Sequence, residues 1–156
     1  MMSKAKAGVS LLTLLLCAIS TSAAPAVARG ATGRAGWSRP VTIDREGGIL
    51  SGVSCGVAGS CVGVDDGGIA GVGDALDYTH GRWSGPIAVD HSGQGLSGVS
   101  CPTATFCVAI DYNGFAFERA GGGWTALGRV DPNIPQGAWL QAVSCSSTSF
   151  CVAIDT

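Results

Sequence analysis

Leu96-Ser97-Gly98-Val99-Ser100-Cys101-Pro102-Thr103-Ala104-Thr105-Phe106-Cys107-Val108-Ala109-Ile110-Asp111 is the stretch whose reading decides the fold. Leu96 to Ser100 reads as a strand, and Pro102 to Thr105 is a cluster of turn residues. Phe106 to Asp111 reads as a second strand rich in branched and aromatic side chains. Its run Phe106-Cys107-Val108-Ala109-Ile110 is apolar on both faces, as expected of a strand covered on both sides. Tyr112-Asn113-Gly114 follows as a hairpin turn, because Asn-Gly tolerates the positive φ such turns need. Phe115 to Arg119 reads as a third strand, ended by Gly121-Gly122-Gly123, and Trp124 to Val130 as a fourth.

The same unit occurs on either side. Leu50-Ser51-Gly52-Val53-Ser54-Cys55 matches Leu96 to Cys101, and Leu140-Gln141-Ala142-Val143-Ser144-Cys145 is an altered third copy. A second cysteine follows each, in Cys61-Val62-Gly63-Val64-Asp65, Cys107-Val108-Ala109-Ile110-Asp111 and Cys151-Val152-Ala153-Ile154-Asp155. Trp37, Trp83 and Trp124 precede the three blocks, each followed seven residues later by an aspartate: Asp44, Asp90 and Asp131. The period is about 45 residues. Four antiparallel strands per repeat of that length predict a β-propeller blade, since one such sheet has two apolar faces and must stack to bury them. The fold class expected is therefore all-β, with tandem four-stranded repeats forming a partial propeller over residues 37–156. The chain supplies a lone fourth strand (Trp37 to Asp44), two full repeats, and the first two strands of a third. Closed propellers typically use four to eight blades. The expectation is thus either a larger product cut short or several chains closing a ring as a homo-oligomer.

The order apolar strand, turn, strand, Gly-turn, strand, Gly-x-Trp resembles the BNR or Asp-box propeller repeats of sialidase-like proteins. Asp77-Tyr78-Thr79-His80-Gly81-Arg82-Trp83 is similar to a loosened Asp-box with one residue too many before Gly81, and Glu118 to Trp124 lacks the aspartate. The Val-Ser-Cys…Phe-Cys-Val-Ala form resembles repeats of secreted actinobacterial proteins of mostly unassigned role. The resemblance implies a fold and leaves function almost open.

Residues 1–28 read as a secretory signal peptide. Lys4 and Lys6 make a positive start, Gly8 to Ile19 is an apolar core too short to span a bilayer comfortably, and Ala26-Val27-Ala28 is a small-x-small cleavage site, with Ala24-Pro25-Ala26 as the alternative. Cys17 follows Leu16 rather than the small residue a lipoprotein signal wants. Residues 29–36 are a short linker. After cleavage at Arg29, seven arginines face eleven carboxylates, a net charge of about −4. No basic cluster exists, so the composition argues against nucleic acid or an anionic membrane as partner.

The six remaining cysteines predict disulfides in an exported chain, against a rival reading of a zinc site. Six cysteines permit many pairings. The recurrence of one spacing selects Cys55–Cys61, Cys101–Cys107 and Cys145–Cys151, each closing its own hairpin. Asp65, Asp111 and Asp155 are expected to cap turns, the alternative being a channel ring or a calcium site, and the same holds for Asp44, Asp90 and Asp131. Trp37, Trp83 and Trp124 are expected chiefly as core packed between repeats, with sugar stacking as the alternative. Trp139 is a non-repeated aromatic beside the Pro-rich insertion Asp131 to Ala138, and so the best candidate for ligand contact. Trp83 is a further candidate, and Tyr78, Tyr112 and Arg119 are weaker ones.

No catalytic residue is expected. His80 and His91 are not at metal spacing, no nucleophile motif is present, and the arginines Arg39, Arg45, Arg82, Arg119 and Arg129 form no recurring set. No cofactor is implied. The function expected is a secreted, extracellular, non-enzymatic binding or scaffold module whose ligand is a glycan or an extracellular protein. The alternatives are a fragment of a larger propeller protein, a hydrolase when whole, and a structural envelope protein.

Overall fold

The structure is a computed structural model that describes residues 39–45, 47–68, 71–133 and 138–156. The expected signal peptide, the linker and Trp37 lie outside the described residues. The chain divides into Met1–Arg39 and the unit Pro40–Thr156, which holds every element below. The described residues are all-β, with eleven strands, every pairing antiparallel and no helix.

The first sheet comprises β1 (Leu50–Val57), β2 (Ser60–Asp65), β3 (Gly73–Thr79), β4 (Arg82–Trp83) and β5 (Ile87–Asp90) in the order β1-β2-β3-β4, with β5 also on β3. The second is β6 (Leu96–Ser100), β7 (Phe106–Asp111), β8 (Phe115–Ala120) and β9 (Gly123–Arg129), in that order. The third is the hairpin of β10 (Leu140–Ser147) and β11 (Phe150–Asp155). None of the three sheets closes on itself.

The four strands read from the sequence of the central repeat are all present, within a residue at each end. In the first repeat the fourth strand is split. β4 and β5 both lie along β3, separated by Ser84-Gly85-Pro86, because Pro86 has no N–H to donate to a ladder. Ser84 bridges the break: its N–H donates to the Asp77 carbonyl at 2.7 Å, and its Oγ accepts the Asp77 N–H at 3.0 Å. One expectation is corrected. The described part of the lone strand expected from Trp37 to Asp44, Arg39 onward, forms no strand. The Asp44 carboxylate is engaged there by the Gly48 N–H at 2.7 Å.

The hairpins follow from their turn residues. His80 and Gly81 both have positive φ (52° and 78°) between the paired Thr79 and Arg82, a two-residue turn whose twist matches the strands it joins. The segment Asp77 to Trp83 thereby turns in a tight hairpin.

Each sheet packs the next through the same positions. Val62, Val64, Ala75 and Val89 of the first sheet are buried against Leu96, Val99, Cys101, Cys107, Ala109 and Phe117 of the second. Val108, Ile110 and Ala116 of the second are buried against Leu140, with Val143, Cys145 and Ala153 of the third half-covered. Two faces are thus defined on every sheet. The forward face carries the residues one and three places after the second cysteine: Val62/Val64, Val108/Ile110, Val152/Ile154. The rear face carries Leu50/Val53/Gly63, Leu96/Val99/Ala109, Leu140/Val143/Ala153. Fully burying one such aliphatic side chain contributes about 1.5–3 kcal/mol.

The first strands approach most closely at their glycines. A Cβ on Gly52 would lie 3.4 Å from Gly98 Cα, and one on Gly98 would lie 3.8 Å from Ala142 Cα. β1, β6 and β10 therefore lie side by side at nearly backbone contact.

Candidate functional site

Three disulfides form, Cys55–Cys61, Cys101–Cys107 and Cys145–Cys151, with Cα–Cα distances of 3.9, 4.1 and 4.0 Å. Cys55/Cys61 and Cys145/Cys151 are direct cross-strand partners. The Cys101–Cys107 bridge closes the turn that follows β6, and both its cysteines are buried in the core between the first two sheets.

Beside each internal bridge lies an inter-sheet hydrogen bond. Ser54 Oγ accepts the Cys101 N–H at 2.9 Å, and Ser100 Oγ accepts the Cys145 N–H at 2.9 Å. The serine of one Val-Ser-Cys triplet thus caps the cysteine of the next. Ser51 adds a further link, its hydroxyl donating to the Leu96 carbonyl at 2.6 Å.

Asp65, Asp90, Asp111 and Asp131 cap turns. Asp65 Oδ1 accepts the N–H groups of Gly67 and Asp74, and Asp111 Oδ1 those of Asn113 and Phe115. Asp90 binds the N–H and hydroxyl of Ser92, and Asp131 the Asn133 N–H. Asp65, Asp90 and Asp111 are buried, and Asp111 Oδ2 has no hydrogen-bond partner. Burial, followed by the charge of Asp90, pushes the Asp111 carboxyl above its usual range, against the opposing pull of the N–H groups it accepts. Among the described residues no group of three or more His, Cys, Asp or Glu is placed to hold a metal ion.

The ligand candidates fall on separate elements. Trp139 immediately precedes β10 and is half exposed, with its carbonyl accepting the Thr156 N–H at 3.3 Å. Tyr112 is half-buried in the β7–β8 turn. Trp83 ends β4 and lies over Gly63, where an added Cβ would meet its ring at 3.3 Å. With Ile43, Leu50, Ser51, Gly52 and Val53 it lines a groove of about 350 Å³ on the rear face of the first sheet.

Trp124 holds the equivalent place in the second sheet and packs against the core between sheets one and two. Trp83 therefore occupies the position of a core residue with no sheet in front of it among the described residues. Each tryptophan pairs across its hairpin: Trp83 with Tyr78 at 5.3 Å between centroids, and Trp124 with the Arg119 guanidinium, 5.6 Å above the ring. Arg119 also forms an ion pair with Asp77, across the boundary between the first two sheets. The Ser-to-Cys links and this ion pair were not read from the sequence. The recurrence of serine before each first cysteine was the available signal for the former.

Comparison of the chain with protein-family models, with curated proteins and with solved structures gave no match.

Proposed function

We propose that this chain is an exported, non-enzymatic binding or scaffold module of propeller-repeat type, its sheets serving as consecutive blades of an incomplete propeller related to the BNR or Asp-box class. The observation that carries the reading is the packing register: forward-face and rear-face positions meet in the same way at two successive sheet boundaries. Repetition of one interface is what blade stacking requires, and it leaves loops and end faces as the surfaces free to vary. Three closed hairpin disulfides suit an oxidising, extracellular setting, and no described helix is long and apolar enough to cross a membrane.

The ligand proposed is a glycan or an extracellular protein, met by Trp139, Trp83 and Tyr112. A glycan array probed with the oxidised protein tests this, with Trp139→Ala and Trp83→Ala as variants. Saturable binding weakened about tenfold by either substitution supports the reading. A catalytic turnover abolished by one point mutation overturns it.

A second reading, a portion of a larger repeat protein, is favoured by one feature. A groove of about 310 Å³ beside the two-stranded third sheet leaves Leu127 and Val130 of the second uncovered, where further strands of a third blade would lie.

A further inference from the structure

We infer that the forward face of β10–β11 docks onto the rear face of β1–β2 in a second copy of this chain, head to tail, in the register that the chain already uses twice within itself. The inference rests on the stacked-repeat part of the reading above and names the partner. The forward-face positions are 1% and 0% exposed at Val62 and Val64, and 7% and 1% at Val108 and Ile110. At the third copy Val152 and Ile154 are 50% and 58% exposed, with Phe150 at 61% beside them. The rear face shows the converse. Leu96 and Val99 are 0% and 8% exposed, whereas Leu50 and Val53 are 47% and 64% exposed. Each open face therefore displays the side chains that its covered counterparts bury.

The two faces are made for each other by the same repetition. Leu50 to Cys55 is residue for residue the hexapeptide Leu96 to Cys101, which already seats against a forward face of Val62, Val64 and Ser54. The third copy presents Val152, Ile154 and Ser144 in those places. A second molecule would put its Cys55 N–H on Ser144 Oγ, extending the series Ser54 to Cys101 and Ser100 to Cys145. The groove holding Trp83 would then be covered as the core around Trp124 is, so in the assembly the ligand contacts fall to Trp139 and Tyr112, and Trp83 meets ligand only on an undocked copy. Neither face carries a charged residue among the positions named, so docking incurs no burial of unpaired charge. The contact is heterologous, and repeated copies close a ring or propagate as a filament according to the rotation per copy.

Light scattering after size exclusion, across a concentration range, tests this on the purified oxidised protein with two variants. Val152→Asp spoils the forward face and Val53→Asp the rear face, both at solvent-facing positions of the single chain. The expected results are an assembly larger than a monomer for the unmodified protein, self-association weakened at least about tenfold for each variant, and a one-to-one dimer when the two variants are mixed. That dimer arises because each variant retains the face the other has lost. Unchanged circular dichroism establishes that the variants fold. Ile154→Lys with Leu50→Lys repeats the test should either aspartate variant unfold.

A protein that stays monomeric at every concentration, variants that associate like the unmodified chain, or a mixture that stays monomeric would each overturn the inference. A monomer that still binds a glycan would sink head-to-tail docking alone and leave the binding-module reading standing. An assembly that binds no glycan would do the reverse.

Discussion

The hydroxyl of Ser54 accepts the backbone N–H of Cys101 at 2.9 Å, and one repeat later the hydroxyl of Ser100 accepts that of Cys145 at the same distance. Both bonds bridge separate sheets. A polar group at a packed boundary costs stability when left unpaired, so the bond and the apolar burial around it act together. Ser100→Ala is expected to lower stability by about 1 kcal/mol in urea unfolding. Ser144→Ala in the dissociated chain is expected to change nothing measurable.

The three bridges differ in surroundings although their loops match in length. Cys101 and Cys107 are buried, while Cys55 and Cys61 sit on an open face. Cross-linking so short a loop stabilises by roughly 2–3 kcal/mol through the unfolded chain in every case. Replacing Cys101 and Cys107 together by alanine also removes packed atoms from the core. Guanidinium unfolding is therefore expected to show a larger loss for that double variant than for Cys55 with Cys61.

Gly56 lies where β1 meets the turn after β6. A Cβ there would stand 2.2 Å from the Thr103 carbonyl oxygen, which is backbone and can yield only by moving the turn. Gly56→Ala is expected to cost about 1–3 kcal/mol, as overpacking does. Gly85, with nothing within 4 Å of its added Cβ, is the control, and Gly85→Ala should leave the melting temperature nearly unchanged.

Asp111 is held above the ordinary carboxyl range by burial and by the charge of Asp90. Because the folded state favours its protonated form, its contribution to stability is fully present below the unfolded value of 3.8 and is lost as pH rises through the folded one. Asp111→Asn keeps an oxygen to accept the Asn113 and Phe115 N–H groups and removes the charge. The variant is expected to melt higher than the unmodified protein near neutral pH, with the difference shrinking as the pH falls toward the low end of the carboxyl range. A difference independent of pH would contradict this assignment.

Much of the architecture was legible because it is local. The strands of the central repeat, the Asn113-Gly114 turn and the three cysteine pairs all depend on residues close in sequence, and repetition selected one pairing scheme from many. The aspartate caps at Asp65, Asp90 and Asp111 were legible for the same reason, since each binds N–H groups a few residues on.

What escaped depends on which strand lies beside which sheet. The acceptor for the Cys101 N–H is 47 residues away, and Arg119 reaches Asp77 from 42 residues on. No local pattern encodes either distance. The segment from Trp37 to Asp44 matches the other fourth strands in its spacing, but a strand depends on a ladder that local spacing does not encode, and its described residues form none. Trp83 and Trp124 hold equivalent, half-buried places, and only Trp124 packs against a core between two sheets, a difference set by which sheet lies beside which.

Sheets that are equivalent units joined by one repeated contact must share its hydrogen bond, which amide hydrogen exchange at Cys101 and Cys145 reads by NMR on the oxidised protein. Both amides are expected to be strongly protected, with Ser54→Ala releasing Cys101 alone and Ser100→Ala releasing Cys145 alone. Rapid exchange at both amides in the folded, unmodified protein, or protection untouched by either substitution, would contradict it.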